Sequence, residues 1–342
     1  MTIQGSISTT IEGTDLTELE AEQTMEIIMS GRATPAQIAG LLVALRIKGE
    51  SVEEIAGFAR AMQKKSMVVT AKAKTLIDVC GTGGDSLGTF NISTTVAFVA
   101  AGAGLAVAKH GNRSVSSKCG SADVLEELGV CLDLNPDQVG QCIDEIGIGF
   151  LYAPNLHPAM KHAIGPRKEM GIRTVFNILG PLTNPARAQV QLLGVYDPAL
   201  TRRMAKVLRS LGCRSAFVVH GGGGLDELST LGPNRVSRLI DGGVETYDLD
   251  PSELGFVPAR LADLKGGDAV ENGQIMRDVL SGQMGPKRDI VLLNAAAILI
   301  AADHANGFMD GLSIAARIID SGAAIESLDA LICLTQRLGV SK

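Results

Sequence analysis

The segment Asp78-Val79-Cys80-Gly81-Thr82-Gly83-Gly84-Asp85, followed by Asn91-Ile92-Ser93-Thr94-Thr95, has the makings of an anion site. An apolar run, a glycine-rich turn and a polar helix start gather backbone N–H groups, and the missing Cβ atoms let a phosphate approach closely. Asn91, Ser93 and Thr94 add side-chain donors. The spacing matches neither the Gly-Lys-Ser/Thr loop nor the GxGxxG turn. Taken alone, it fits an ordinary strand-to-helix turn as well. A second segment, Lys109 through Ser121, follows the next apolar run. Its thirteen residues hold three cations (Lys109, Arg113, Lys118), four serines and two glycines. That mixture suits a polyphosphate: hydroxyls and amides give directed hydrogen bonds, and the cations give charge.

A third segment, Gly221-Gly222-Gly223-Gly224-Leu225-Asp226-Glu227, places adjacent carboxylates after a flexible loop. Such a pair can hold Mg²⁺, which keeps waters and bridges to substrate phosphates, or it can simply favour a helix N-terminus. A fourth runs from His157 through Arg167-Lys168 to Asn177-Ile178-Leu179-Gly180-Pro181-Leu182-Thr183-Asn184-Pro185. Arg167 has the donors for a bidentate grip on a substrate carboxylate, though a lone helix arginine is ordinarily a surface charge. No Ser–His–Asp order and no zinc-type cluster stands out. The six cysteines have no regular spacing and read as small core residues of a reducing compartment.

These segments need a scaffold. The chain has 342 residues, enough for two domains, and a formal charge of −6. An acidic balance argues against nucleic-acid or anionic-membrane partners, and the absence of Trp disfavours aromatic stacking platforms. No basic-then-apolar leader pattern opens the sequence, so the cytoplasm is the default location. The stretch Phe90–Ala108 is uncharged, but its polar start and glycines predict a buried helix and then a buried strand. Residues before Thr75 read as helices only, with capping boxes at Thr17/Glu20 and Ser51/Glu54 and a Thr34-Pro35 start. Beyond them, strands are expected at Leu76–Cys80, Leu105–Ala108, Ile148–Tyr152, Val190–Tyr196 and Ala216–His220. Helices are expected to open at Asn135-Pro136 and Asp197-Pro198, and a two-stranded excursion to surround Asp241-Gly242-Gly243. The alternation predicts an α/β fold with a mostly parallel central sheet covered on both faces.

The motifs GTGGD, NIST, KHGNRSVSSKCGSADVLEELG, NILGPLTNPA and GLDE, in this order behind a helical start, resemble the anthranilate phosphoribosyltransferase family over about Thr14 to Gly339. The GTGG-type turn alone also fits the structurally related pyrimidine nucleoside phosphorylases. The resemblance implies a nucleoside phosphorylase/phosphoribosyltransferase-like architecture: a small all-helical N-terminal domain hinged to a larger α/β domain. Its bounds would be 1–70 with a returning segment at about 160–188, against 75–159 and 189–342. It implies a homodimer, with phosphoribosyl pyrophosphate and anthranilate as substrates and Mg²⁺ as cofactor.

Carried over by position, Gly81, Gly84 and Asp85 resemble the turn for the pyrophosphate. Thr89, Asn91, Ile92, Ser93 and Thr94 resemble its further partners. Lys109, His110, Gly111, Asn112, Arg113, Ser114, Val115, Ser116, Ser117 and Ser121 match the second phosphate loop, with Lys109 stabilising the leaving charge. Gly81, His110, Asn112 and Arg167 match the anthranilate contacts, and Ser93, Asp226 and Glu227 the metal site. Two departures stand out: Cys119 where the family often has Ser, and Ala163-Ile164-Gly165-Pro166 before Arg167 in place of the usual Ala-Pro-Val-Arg. The implied reaction needs no strong general base, because an aromatic amine is neutral at pH 7, and no covalent enzyme intermediate. A nucleoside phosphorylase and a non-catalytic nucleic-acid-binding relative are the competing readings. The acidic pair, the KHGN loop and the negative charge argue against both.

Overall fold

Side-chain capping sets where the first helices begin. Thr17 and Glu20 close a reciprocal box at the start of α2, as do Thr34 with Gln37 at α3 and Ser51 with Glu54 at α4. The computed structural model describes residues 1–114 and 118–339. Its helical start consists of α1 (Ile3–Ile11), α2 (Glu18–Met29), α3 (Pro35–Lys48) and α4 (Val52–Lys65). None of the capping signals read from the sequence falls on the stretch that α1 occupies. The helix forms because Thr2 caps it, accepting from Gly5 N at 3.1 Å, and because Ile3, Ser6 and Thr10 turn one buried face inward.

The sheet follows. Its first part is β1 (Ile77–Gly81), α5 (Ile92–Gly102), β2 (Val107–Gly111), α6 (Ser121–Glu127), α7 (Pro136–Ile146) and β3 (Ile148–Tyr152). A strandless stretch then carries α8 (Ala153–Leu156), α9 (Lys161–Met170) and α10 (Phe176–Leu179). The sheet resumes with β4 (Val190–Gly194), α11 (Leu200–Ser210), β5 (Ser215–His220), β6 (Asn234–Ile240) and β7 (Gly243–Leu249). Four helices end the chain: α12 (Ala269–Leu280), α13 (Pro286–Ala301), α14 (Phe308–Asp320) and α15 (Ala323–Gly339). The strand order is β3-β2-β1-β4-β5-β6-β7, parallel from β3 to β5 and antiparallel beyond. The chain winds outward from β1 to β3, then restarts on the other side with β4. The carboxyl ends of β1 and β4 therefore flank a topological switch point, the place where open α/β sheets bind ligands.

Two sequence expectations shift in ways that matter. The second strand lies later than expected, so Lys109 and His110 belong to buried β2 and not to a loop. Asp197-Pro198 makes a turn before α11 and does not cap it: Asp197 Oδ1 accepts from Ala199 N at 2.9 Å, and the helix opens at Leu200. Among the described residues no cysteine forms a disulfide, but Cys333 is exposed on α15 and so is no core residue.

Alternation along the strands splits the apolar side chains between two clusters. Leu192, Phe217 and Val219 face one, with α5, α13 and α15. Leu193, Ala216 and Val218 face the other, which runs through α11 into α2, α3, α4 and α10. The helical start is thus seated on one face of the sheet through α11, and Arg60 of α4 bridges Glu18 and the Ser210 carbonyl. Among the described residues no helix is long and apolar enough to cross a membrane. Phe90–Ala108 divides between α5 and β2 as the sequence predicts.

Candidate active site

The expected site segments collect at the carboxyl edge of the parallel strands. Gly81 ends β1 and opens the first turn; Gly111 ends β2 and opens the second loop; the acidic pair follows β5. Asp226 reaches back into the switch-point crevice. Its Oδ2 accepts from Gly83 N at 2.6 Å. A Cβ on Gly81 would stand 2.5 Å from that oxygen, and one on Gly194, the last residue of β4, would stand 1.5 Å from the Asp226 carbonyl. Both strands must end in glycine for Asp226 to lie where it does. Gly194 is the member of this set that no sequence motif marks. It lies in an apolar run, and only the register of β4 against β1 reveals the approach.

Glu227 is buried beside Asp226. Its Oε1 accepts from Ser93 N, at the start of α5, at 3.2 Å, while Oε2 is buried with no partner. Burial and the Asp226 charge push the Glu227 carboxyl well up, with the Lys109 ammonium pulling the other way. Burial and then Asp85 push Asp226 up. Converging carboxylates, one with an orphaned oxygen, fit a hard divalent cation. Among the described residues no three acidic, imidazole or thiol groups close around one point. A closed cage is not what Mg²⁺ requires, since it takes one or two carboxylates and completes its shell with waters and phosphate oxygens.

Lys109 is 3% exposed and interacts electrostatically with two buried carboxyl groups, those of Glu227 and Asp78. Asp78 is fully buried: Oδ1 accepts from His110 N at 3.2 Å and Oδ2 from Asn184 Nδ2 at 2.8 Å, a nitrogen that also donates to the Ala108 carbonyl. The Asn-Pro of the NILGPLTNP segment thus fixes the strand that carries Lys109. Neither Asp78 nor Asn184 is singled out by residue type. What the sequence does offer is a buried-strand Asp, which is costly unless paired.

His110 Nε2 lies 3.2 Å from His157 Nε2, and this contact ties β2 to the stretch leading into α9. Desolvation lowers His110 to about 3, helped by His157 and Lys109, and His157 to about 4. Arg167 in α9 is half-buried, with its guanidinium 5.1 Å from the Phe176 ring centroid. Burial lowers its pKa, and among the described residues it has no carboxylate partner. A desolvated, unpaired guanidinium is a receptor for a carboxylate. Pro166 sits inside α9 without ending it.

Other expected residues are already engaged within the protein. The Arg113 guanidinium forks onto Glu126 at 2.7 and 2.9 Å and also meets Asp123 and the Tyr152 hydroxyl, so its charge is neutralised in this arrangement. Ser121 Oγ donates to the Asn112 carbonyl and Ser114 N to Asp123. The Asn91 amide bridges the loops, donating to the Cys119 carbonyl and accepting from Asn272 of α12. Ile92 is in the core and its N–H donates to the Phe90 carbonyl. Thr94 is buried, whereas Thr89, Ser93, Gly84 and Asp85 line the half-open turn and Asn112 is exposed. Val115, Ser116 and Ser117 lie outside the described residues.

Residues 5–66 match the model of the glycosyl transferase family, helical bundle domain, and residues 73–325 that of the glycosyl transferase family, a/b domain. The chain is similar to the anthranilate phosphoribosyltransferase of Moorella thermoacetica, 56% identical over 96% of this chain and 97% of that one. It is 55% identical to that of Symbiobacterium thermophilum, with 96% of each chain covered. The crystal structure of the Thermus thermophilus enzyme superposes with a TM-score of 0.92 at 44% identity, covering 97% of this chain and 99% of that one. The Saccharomyces cerevisiae enzyme in complex with PRPP and Mg does so with a TM-score of 0.90 at 30% identity, covering 98% of each.

Proposed function

Because the chain belongs to the anthranilate phosphoribosyltransferases, we propose that its chemistry divides among two phosphate loops, one arginine and two buried carboxylates. The chain is an enzyme of tryptophan biosynthesis. It moves the 5-phosphoribosyl group from phosphoribosyl pyrophosphate to the amine of anthranilate and releases pyrophosphate. The phosphorylase and nucleic-acid-binding readings are set aside.

In this reading the N–C1 bond forms as the C1–O bond to pyrophosphate breaks, and the amine proton is lost once nitrogen is bonded to C1. The difficult part is the departing charge. Lys109 and the amides of the Gly81–Asp85 turn offset it. Asp226, Glu227 and the Ser93 hydroxyl would hold Mg²⁺, which supplies charge neutralisation to the pyrophosphate. Arg167 and Asn112 grip and orient the anthranilate, with His110 along its route. The remainder is positioning. Closing the helical unit, residues 1–70 with about 160–188, onto 75–159 and 189–342 would bring nitrogen to C1 and exclude water. No side chain acts as a covalent carrier.

One observation carries the assignment: the carboxylate pair beside the phosphate turn, with Glu227 Oε2 orphaned and Asp226 bonded to Gly83 N. The test is anthranilate fluorescence followed with phosphoribosyl pyrophosphate and Mg²⁺, with and without EDTA; the protein has no Trp to add background. Signal loss that needs both substrates and the metal supports the reading. Turnover unaffected by EDTA would remove the metal from it. We also place the enzyme in the cytoplasm as a homodimer joined through its helical unit, where Ile11 and Ile47 are 70% and 81% exposed. Light scattering on the purified chain decides the dimer.

A further inference from the structure

Asn91 immediately precedes α5, and two residues on Ser93 N donates to Glu227 Oε1 at 3.2 Å. The Asn91 side chain is a half-buried carboxamide, with an acceptor at one end and two donated hydrogens at the other. Which end faces the crevice decides whether Asn91 attracts or repels a phosphate. The two ends have nearly the same shape, so the neighbours must impose the choice.

The choice traces back to a backbone N–H, which can only donate. Gly267 N donates to Asn272 Oδ1 at 2.8 Å. Asn272 lies on α12 and is 2% exposed. Were its carboxamide reversed, two donors would face each other in a buried place, a mismatch that folded proteins avoid. Asn272 Nδ2 therefore points to Asn91 and donates to its Oδ1 at 2.9 Å. Asn91 Nδ2 in turn faces the Cys119 carbonyl at 3.3 Å. Reversing Asn91 would set nitrogen against nitrogen at Asn272 and oxygen against oxygen at Cys119. The Cys119 thiol agrees with this sense. Its Sγ lies 3.6 Å from Asn91 Oδ1 and 3.5 Å from the Gly120 carbonyl, and burial raises its pKa, so it stays a donor.

The surrounding chain holds this relay in register. Residues 264–267 run beside 88–90: Phe90 N donates to the Leu264 carbonyl at 3.2 Å and Gly266 N to the Gly88 carbonyl at 3.0 Å. A Cβ on Gly266 would stand 2.4 Å from Asn272 Oδ1, so glycine lets the two segments close.

We propose that Asn272 is a positioning residue for phosphoribosyl pyrophosphate: by donating to Asn91 Oδ1 it turns the Asn91 Nδ2 hydrogens towards the substrate's phosphates. One of those hydrogens goes to the Cys119 carbonyl, and the other is the one offered. The proposal rests on the reading that Asn91 touches this substrate, and it names what gives Asn91 its polarity there.

The experiment is calorimetric titration of phosphoribosyl pyrophosphate with Mg²⁺ into the full chain, for the parent, Asn272→Asp, Asn91→Ala and the double variant. The carboxylate in Asn272→Asp still accepts from Gly267 N but cannot donate. It draws the Asn91 nitrogen to itself and leaves the Asn91 oxygen facing the phosphates. Binding should weaken about tenfold, while KM for anthranilate stays within about twofold. In the Asn91→Ala background the same change should weaken binding by less than about twofold, because no carboxamide is left to turn over. A loss of the same size in both backgrounds would be plain charge repulsion or a general disturbance of α12, and would overturn the proposal. Unchanged binding in Asn272→Asp, or parent-like binding in Asn91→Ala, would overturn it too. Should Asn272→Asp not fold, Asn272→Ala decides by the same comparison, with an expected loss of about threefold in the parent background alone. A parent that does not bind would overturn the proposed function and the relay with it. A parent that binds, with equal losses in both backgrounds, overturns the relay alone.

Discussion

Asp226 Oδ2 accepts the Gly83 N–H at 2.6 Å, so one carboxylate both lines the proposed cation site and holds in shape the turn proposed for phosphate. The two roles separate in Asp226→Asn, whose amide oxygen can still accept from Gly83 but brings no charge. Turnover should fall by about 10²–10³, the range for losing one preorganised electrostatic contact. Stability should move the other way. Burial and Asp85 raise the folded-state pKa of Asp226 above its unfolded value. The native state therefore binds more protons than the unfolded one, and its stability falls as pH rises past the ordinary carboxylate range. Without metal, the parent should lose melting temperature between pH 4 and pH 8 more steeply than Asp226→Asn. Equal slopes, or full activity, would sink this account.

Gly194 tests the same geometry from the other strand. A Cβ there meets the Asp226 carbonyl at 1.5 Å, a backbone atom with nowhere to go. Gly194→Ala should cost about 1–3 kcal/mol, the usual range for overpacking, and move Asp226 enough to reduce turnover about 100-fold. Gly232, where a Cβ meets nothing within 4 Å, is the control, and Gly232→Ala should leave turnover unchanged. Denaturant melts and kcat for both variants decide it.

The contrast between these two positions shows what the sequence makes legible. The turn glycines are visible because glycine clusters beside polar residues announce themselves, and capping boxes such as Ser51/Glu54 place helix starts to within a residue. Gly194 closes an apolar run, and its purpose exists only once β4 lies beside β1. Asp78 and Asn184, 106 residues apart, meet only in the folded sheet. Arg113 fails in the opposite sense. Its type and loop suggest a phosphate ligand, yet Asp123 and Glu126, one helix turn apart on α6, take its guanidinium first. Side-chain type sets what a residue can bind, and competition among neighbours sets what it does bind.

Among the described residues Arg167 has no such competitor. Half-buried over Phe176, it has lost part of its hydration before any ligand arrives. Arg167→Lys keeps the charge but loses the fork that matches a carboxylate. KM for anthranilate should rise by about 30–100-fold, corresponding to about 2–3 kcal/mol for a charge-assisted bond. KM for phosphoribosyl pyrophosphate should stay within about twofold. A rise in both would mean that Arg167 shapes the whole crevice, and no rise in the first would remove it from anthranilate binding.

The buried His110–His157 pair makes acid stability the most direct check on the region between β2 and α9. With folded-state values of about 3 and about 4, both rings are neutral near pH 7, and one must donate where the other accepts across 3.2 Å. Unfolded, each takes its proton at about pH 6.5. A lowered folded-state value means the unfolded state binds more protons, so stability is intact above pH 6.5 and falls as the solution is acidified towards pH 4. Linkage gives a loss of about 2 kcal/mol for each ring between pH 7.5 and pH 5. His157→Gln keeps a donor and an acceptor for His110 Nε2 but cannot ionise, so it should show about half the parent's acid loss in urea melts at the two pH values. The same loss in parent and variant would mean that His157 already takes up protons freely in the folded state, and the dry contact between the rings would have to be abandoned.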